Sequence, residues 1–281
     1  LEALGGSVTR GCEPRSARDA EHGVVLEYQC GESIETATAG WLVGCDGSHS
    51  RVREQASIPF EGVAYKESFI LADVEMDWPL DRTEVSLFLS ERGLAVVAPL
   101  PQNHFRIVAT VHESSPAQPS IQDFQRILEE RGPGEGSARI RHLVWASRFH
   151  VSHGVAHSLR KGRILLAGDA AHVHSPAGGQ GMNTGIQDAV SLAEAFESVL
   201  ATGNESALDQ WEASRLRVAN SVVAFTDRLT KMATLSSPAL KTLRNIAIEF
   251  VGHIPFVEHA LAKKLAELDN RRAIPVLRRT P

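Results

Sequence analysis

The chain has 281 residues, 43% hydrophobic and 22% charged, with a formal net charge of −5. That is ordinary globular composition, long enough to bury a core without disulfide staples. A mildly acidic chain gives no electrostatic reason to expect a nucleic-acid partner, and no window approaches the apolar length of a membrane-crossing helix.

Residues 7–45 read as β structure. Val8 starts a short strand, Val24 to Tyr28 form another behind the turn Glu21-His22-Gly23, and Trp41-Leu42-Val43 is a brief apolar run of the buried kind. That run ends in Gly44-Cys45-Asp46-Gly47, and Ser50 then opens a short helix to Ala56. Residues 67–112 read as a sheet, with β-rich runs at 68–74, 85–89, 94–98 and 105–111 separated by turn residues. An amphipathic helix is predicted over 120–131, capped by Ser120 and carrying Ile121, Phe124, Ile127 and Leu128 on one face. Gly132-Pro133-Gly134 stops it, and a strand follows around 143–151.

The style changes after residue 163. Ile164-Leu165-Leu166-Ala167 is a buried-strand run, 168–181 is a loop rich in small residues, and a long helix begins near Met182. From there to about 268 the pattern is helical, with Leu208, Trp211, Leu216, Val222, Val223, Leu229 and Met232 as apolar positions. Pro238 and Pro255 mark helix starts, and 270–281 is a basic tail. Cys12, Cys30 and Cys45 have no metal-ligand spacing; their odd number predicts free, semi-buried thiols and a cytoplasmic location. The opening LEALGGSVTRG reads as no secretory signal.

The segment that carries chemistry is GRILLAGDAAHVHSPAGGQGMNTGIQDA, residues 162–189. Its strand ends at Gly168-Asp169, and a carboxylate at the carboxyl end of a sheet strand sits where α/β proteins bind ligands, suited to accept from sugar-like hydroxyls. Gly178, Gly179 and Gly181 let backbone N–H groups approach a flat ligand. The helix start at Met182-Asn183 favours negative charge in front of it. On spacing alone the same residues also read as a glycine-rich strand–helix turn with a capping aspartate. Likewise Asp46-Gly47 alone is a common turn with Arg53 in the helix that follows.

Together the two segments resemble a known family. Residues 163–189 closely resemble the GD flavin motif of the para-hydroxybenzoate-hydroxylase-like, single-component flavoprotein monooxygenases, and GCDGSHSRVR at 44–53 resembles that family's DG motif. IPFEG at 58–62, LADVEMDWP at 71–79 and the helical 226–245 are similar to its aromatic and polyketide hydroxylase branch. The resemblance implies that Asp169 binds the ribityl chain of FAD, that Pro176, Gly179 and Gly181 lie beside the isoalloxazine, and that Met182 and Asn183 offer main-chain contacts to its pyrimidine end. It places Asp46 and Arg53 near the pyrophosphate and the path of NAD(P)H. It implies hydroxylation of a small aromatic substrate, phenolic or polycyclic, with NAD(P)H and O₂, and names no proton-transfer residue.

The implied fold is α/β. Residues 1–60 are part of an FAD-binding domain, 61–160 a substrate-side β-sheet domain, 161–200 the rest of the FAD layer, and 201–281 a helical region with its tail. One element of the family's pattern is missing: no glycine run completes G-x-G-x-x-G, since Gly132, Gly134 and Gly179 are each followed by the wrong third residue. Together with the start at Leu1, this predicts a chain lacking the βαβ unit that holds the ADP half of FAD, hence poor flavin retention and self-association. A non-enzymatic fragment of the same fold is the first alternative. A metal-dependent enzyme using His172, His174 and Asp169 is the second. Arg148, on a strand, is either a ligand contact or an ordinary strand residue.

Overall fold

Alternating apolar residues make two long strands the frame of the molecule. The structure, a computed structural model, describes residues 2–233 apart from 22, 91, 112–114, 177 and 178, together with 235, 237, 239, 240, 242, 244, 245 and 263. Strands β5 (Phe60–Asp77) and β9 (Arg139–Ala156) pair antiparallel along almost their whole length. They are the middle of a six-stranded sheet with β6 (Ser86–Ser90), β7 (Gly93–Pro99), β8 (His104–Val111) and β12 (His172–Val173), in the order β12-β9-β5-β8-β7-β6. Both long strands extend well beyond the runs expected from sequence, because β pairing continues through their polar ends.

One face of this sheet is closed by α2 (Ile121–Arg131). Phe124, Ile127 and Leu128 pack on Ile70, Ala72, Val74, Val97, Phe105 and Ile107. Burial of three large helix side chains stabilises this contact by roughly 5–8 kcal/mol. The helix starts in a full capping box, Ser120 with Asp123. The other face carries Phe69, Leu94 and Val151 with Leu89, Val96, Val108 and Phe149.

The second core lies around a short parallel pair. Strand β4 (Leu42–Gly44) runs beside β11 (Ile164–Leu166), which pairs on its other side with β10 (Arg160–Lys161). Helix α1 (Arg51–Gln55) follows β4 so closely that a Cβ on Gly44 would stand 2.8 Å from Val52. Helices α3 (Gly181–Thr202) and α4 (Ser206–Ala233) complete this core through Leu192, Ala195, Val199, Leu208 and Trp211. Sequence periodicity ran through the junction unbroken, but Gly203 takes a left-handed conformation at φ 71° and ends α3 there. The expected helix starts at Pro238 and Pro255, and the tail at 270–281, lie outside the described residues.

The start of the chain corrects two expectations. The first strand is not at Val8: β1 spans Cys12–Ala20 and pairs with β2 (Gly23–Cys30), which pairs with β3 (Ser33–Ala39). The polar, Pro-containing sequence of β1 hides its strand character. The cysteines are not all free either. Cys12 and Cys30 face each other across the hairpin and are joined as a disulfide, leaving Cys45 as an exposed free thiol. Directly opposed positions of an antiparallel pair bring their Cβ atoms within bonding reach, a relation that cysteine counting cannot see. Thiol titration under native, non-reducing conditions is expected to find one reactive thiol, rising to three after reduction and unfolding; three thiols before reduction would contradict the pairing.

Candidate flavin-binding site

The parallel pair β4 and β11 aims both of its carboxyl ends at one place. Parallel strands followed by helices leave their exit loops on the same edge, where ligands of open α/β sheets bind. From β4 comes the loop 45–50, and from β11 the turn 168–171 followed by β12. A single side chain fastens these loops together. Arg53, 8% exposed, donates from Nη1 to the Ala170 carbonyl and from Nη2 to the Ser48 carbonyl, each at 2.8 Å. Its guanidinium also lies over the Phe60 ring, 4.2 Å from the centroid. Asp46 acts locally: one carboxylate oxygen accepts from Ser50 Oγ and the other from the Val52 N–H, while Ser50 Oγ caps α1 through the Arg53 N–H. Both side chains are therefore engaged in building the loop.

Asp169 differs. It sits in a single helical turn, Gly168–Ala170, is exposed, and accepts no hydrogen bond among the described residues. Gly168 adopts φ +61°, where only glycine is relaxed, and its backbone approaches that of Gly185 in α3: a Cβ at Gly185 would be 3.4 Å from Gly168 Cα. Beyond the turn, Pro176 and Gly179 are exposed, Gly179 at φ +64° with open space around its α-carbon. Gly178 lies outside the described residues. Helix α3 then begins with no side-chain cap at Gln180, and among the described residues no side chain accepts from the N–H groups of Gly181, Met182 or Asn183. Six expected residues thus converge: Asp169, Pro176, Gly179, Gly181, Met182 and Asn183 form one edge of carboxylate, bare backbone and helix N-terminus. That donor and acceptor set fits a flavin, with hydroxyls for the carboxylate and an electron-rich edge for the helix start.

Beneath this edge lies a charge cluster that sequence reading did not find. Asp188, 0% exposed, accepts from the Gly168 N–H at 3.0 Å, from His172 Nε2 at 2.6 Å and from Arg215 Nε at 2.5 Å. Burial alone would raise the Asp188 pKa. The hydrogen bond and electrostatic attraction of His172, then Arg215, then the Gly168 N–H outweigh it and hold the carboxyl below its ordinary value. Its contribution to stability is therefore present above the ordinary carboxylate range and lost as pH falls through the depressed folded value. His174 stacks on His172 with ring centroids 6.1 Å apart, and burial pushes its pKa down.

The same cluster corrects the metal alternative. His172 turns to Asp188, and among the described residues no group of three or more His, Cys, Asp and Glu is placed to hold a metal ion. Of the two readings of Arg148, the geometry fits the strand residue: paired with Ile70, it lies on the α2 side of the sheet and donates to Ser68 Oγ and the Ser115 carbonyl. A cleft of about 520 Å³ between α2 and β9, lined in part by Gln125, Arg126 and Arg139, sits at the opposite end of β9 from β12.

Comparisons with known proteins agree with this geometry. A family profile described as an FAD binding domain matches residues 1–226. The chain is 33% identical over 256 residues to 6-methylpretetramide 4-monooxygenase of Streptomyces rimosus, covering 89% of this chain and 45% of that protein. It is 37% identical over 200 residues to dialkyldecalin synthase of Streptomyces rugosporus, covering 68% and 41%. Among solved structures, the OxyS anhydrotetracycline hydroxylase of Streptomyces rimosus superposes with a TM-score of 0.76 at 28% identity, covering 95% of this chain and 54% of that one. The chain spans about half the length of the curated relatives it matches.

Replacing Arg53 with Met should remove two charge-assisted bonds and strand two carbonyls. Urea denaturation is expected to show a loss of about 2–4 kcal/mol. A loss below about 1 kcal/mol would mean that Arg53 does not join the two loops.

Proposed function

The chain belongs to the FAD-binding-domain family, and from that premise we propose that it is part of an FAD-dependent monooxygenase that hydroxylates a small aromatic substrate with NAD(P)H and O₂. The observation that carries the reading is the exposed Asp169 carboxylate, which accepts no hydrogen bond among the described residues, beside a bare-backbone loop and an uncapped helix start. When bound, the flavin supplies the redox chemistry, taking electrons from NAD(P)H and activating O₂ so that one oxygen reaches the ring.

In this reading Asp169 accepts ribityl hydroxyls. Pro176, Gly179 and Gly181 border the ring system, and the Met182 and Asn183 N–H groups stabilise negative charge at its edge. Asp46 and Arg53 serve the site as scaffold, by fixing the loop between β4 and α1. The apolar face of the large sheet, with Phe69 and Phe149 stacked at 5.8 Å, is the candidate wall for a phenolic or polycyclic ring. Residues 1–60 and 161–200 then form the FAD layer, 61–160 the substrate domain, and 201–281 the helical region. Cytoplasmic residence belongs to the proposal on the supply of NAD(P)H alone, since the Cys12–Cys30 disulfide removes the free-thiol argument for it. Similarity also extends to a protein named a synthase, so the fold alone does not decide the reaction.

A second reading concerns these 281 residues in isolation. Among the described residues β4 pairs only with β11, leaving the other edge of a parallel pair open. Met182, Ile186 and Val190 of α3 are 76%, 54% and 49% exposed on adjoining turns. A G-x-G-x-x-G strand–helix unit of the full-length protein would cover both, and would bind the pyrophosphate. The isolated chain should therefore retain FAD poorly and self-associate.

Two measurements follow. In the full-length protein, Asp169→Ala should weaken FAD binding about tenfold to a hundredfold, the loss of a charge-assisted hydrogen bond worth roughly 1.5–3 kcal/mol; unchanged affinity would reject the assignment. Sedimentation and flavin content of the isolated 281 residues should show oligomers with little FAD, whereas a monomer with stoichiometric FAD would sink the second reading.

A further inference from the structure

Two of the most deeply buried charged groups lie outside the set of proposed flavin contacts. Asp188 is 0% exposed and Arg215 is 2% exposed. Each stands where an apolar residue belongs. Asp188 falls in the buried stripe of α3 with Thr184, Leu192, Ala195 and Val199, and Arg215 in that of α4 with Leu208, Trp211, Ala219 and Val222. A buried ion pair gains little over an apolar pair of the same volume, so its presence calls for a task that shape alone does not perform.

The hydrogen bonds define that task. One oxygen of Asp188 accepts from both the Gly168 N–H, at 3.0 Å, and His172 Nε2, at 2.6 Å. These residues bracket Asp169, so both ends of the turn that presents Asp169 are fixed to a single atom. The other oxygen accepts from Arg215 Nε at 2.5 Å, and Arg215 Nη2 donates to the Thr184 carbonyl at 3.2 Å. One guanidinium thus grips the first turns of α3 at two points, behind the N–H groups of Gly181, Met182 and Asn183. The Trp211 indole N–H donates to the Asp188 carbonyl and to Ser191 Oγ, holding the same stretch of α3 from α4. We propose that Asp188 and Arg215 are positioning residues of the cofactor site, setting the separation between the Asp169 carboxylate and the α3 N-terminus without touching the flavin. The inference rests on the flavin reading above and deepens it.

A charged pair suits this work. The Gly168 N–H lies where the turn packs its backbone against α3 beside Gly185, within reach of an acceptor on that helix. A carboxylate receives several donors at once, and a planar guanidinium fixes the carboxylate's rotation while keeping a second hand on the backbone. Of the groups hydrogen-bonded to the Asp188 carboxylate, His172 and Arg215 are side chains, from β12 and α4, and Gly168 is main chain; Cys45 and His174 lie near enough to feel its charge.

The test uses the full-length protein, stripped of flavin and titrated with FAD, with the visible circular dichroism of bound flavin and the thermal midpoint of the apoprotein as companion readouts. Asp188→Asn should raise the FAD dissociation constant about tenfold to a hundredfold and change the dichroism. Arg215→Lys keeps a cation opposite Asp188 and removes the two-point grip. It should raise the constant by about threefold to tenfold, with altered dichroism and a near wild-type apo midpoint. Should Asp188→Asn fail to fold, Arg215→Lys decides. Phe124→Leu, in the α2 core away from the turn, is the control for general destabilisation. Wild-type affinity and dichroism in the variants, or an equal loss of affinity in Phe124→Leu, would overturn the proposal. If the wild-type protein itself takes up no FAD, the flavin reading fails rather than this one alone.

Discussion

The Asp188 carboxylate gathers donors from both ends of one short turn and from a separate helix. The Gly168 N–H comes from the end of a parallel strand, His172 from the edge strand of the large sheet, and Arg215 from the middle of α4. At this point the core built on β4, β11, α1, α3 and α4 meets the edge strand β12 of the six-stranded sheet. Taking a carboxylate and a guanidinium from water costs several kcal/mol per ion. The arrangement is favourable because every lone pair used has a donor. Removing either partner would strand the other charge at a cost of about 3–5 kcal/mol. Local geometry of the turn, the register of β12 and the placement of α4 thus stand or fall together.

Arg53 plays the matching part on the other loop. Its two backbone bonds run from the β4 exit to the β11 exit, and its ring contact with Phe60 reaches the first residue of β5. The site is held by side chains that face inward and leaves its outward edge to Asp169, to bare backbone and to a helix N-terminus. A site built this way can present polar groups to a flat cofactor with little rearrangement, since its rotamers are already locked by packing and hydrogen bonds.

Much of this was legible in the sequence where local rules decide. The run at 164–167 followed by glycines announced a strand and a turn after it, and Ser120 with its apolar face announced α2 as it stands. Long-range facts were not legible. The pairing of Cys12 with Cys30 depends on hairpin register, and strand β1 is too polar to show an alternation. Arg148 stays open between ligand contact and strand residue until its partner Ile70 fixes which face it occupies. Nor does a motif read show what a motif residue touches: Asp46 and Arg53 bond to the protein's own loops, whereas Asp169 accepts no hydrogen bond among the described residues. A signal for the buried pair was present all the same. Asp188 and Arg215 each interrupt an apolar stripe at helical spacing, one on each of two successive helices, and opposite charges so placed pair across the interface.

The central claim is that the two strand-exit loops and the start of α3 together form a flavin cradle. Amide hydrogen exchange of the full-length protein, followed by mass spectrometry with and without FAD, tests it most directly. Slowed exchange in peptides covering 44–53 and 168–185, with no change across 121–140 under α2, is the predicted result. Protection by FAD at 121–140, or none in either loop, would contradict the account.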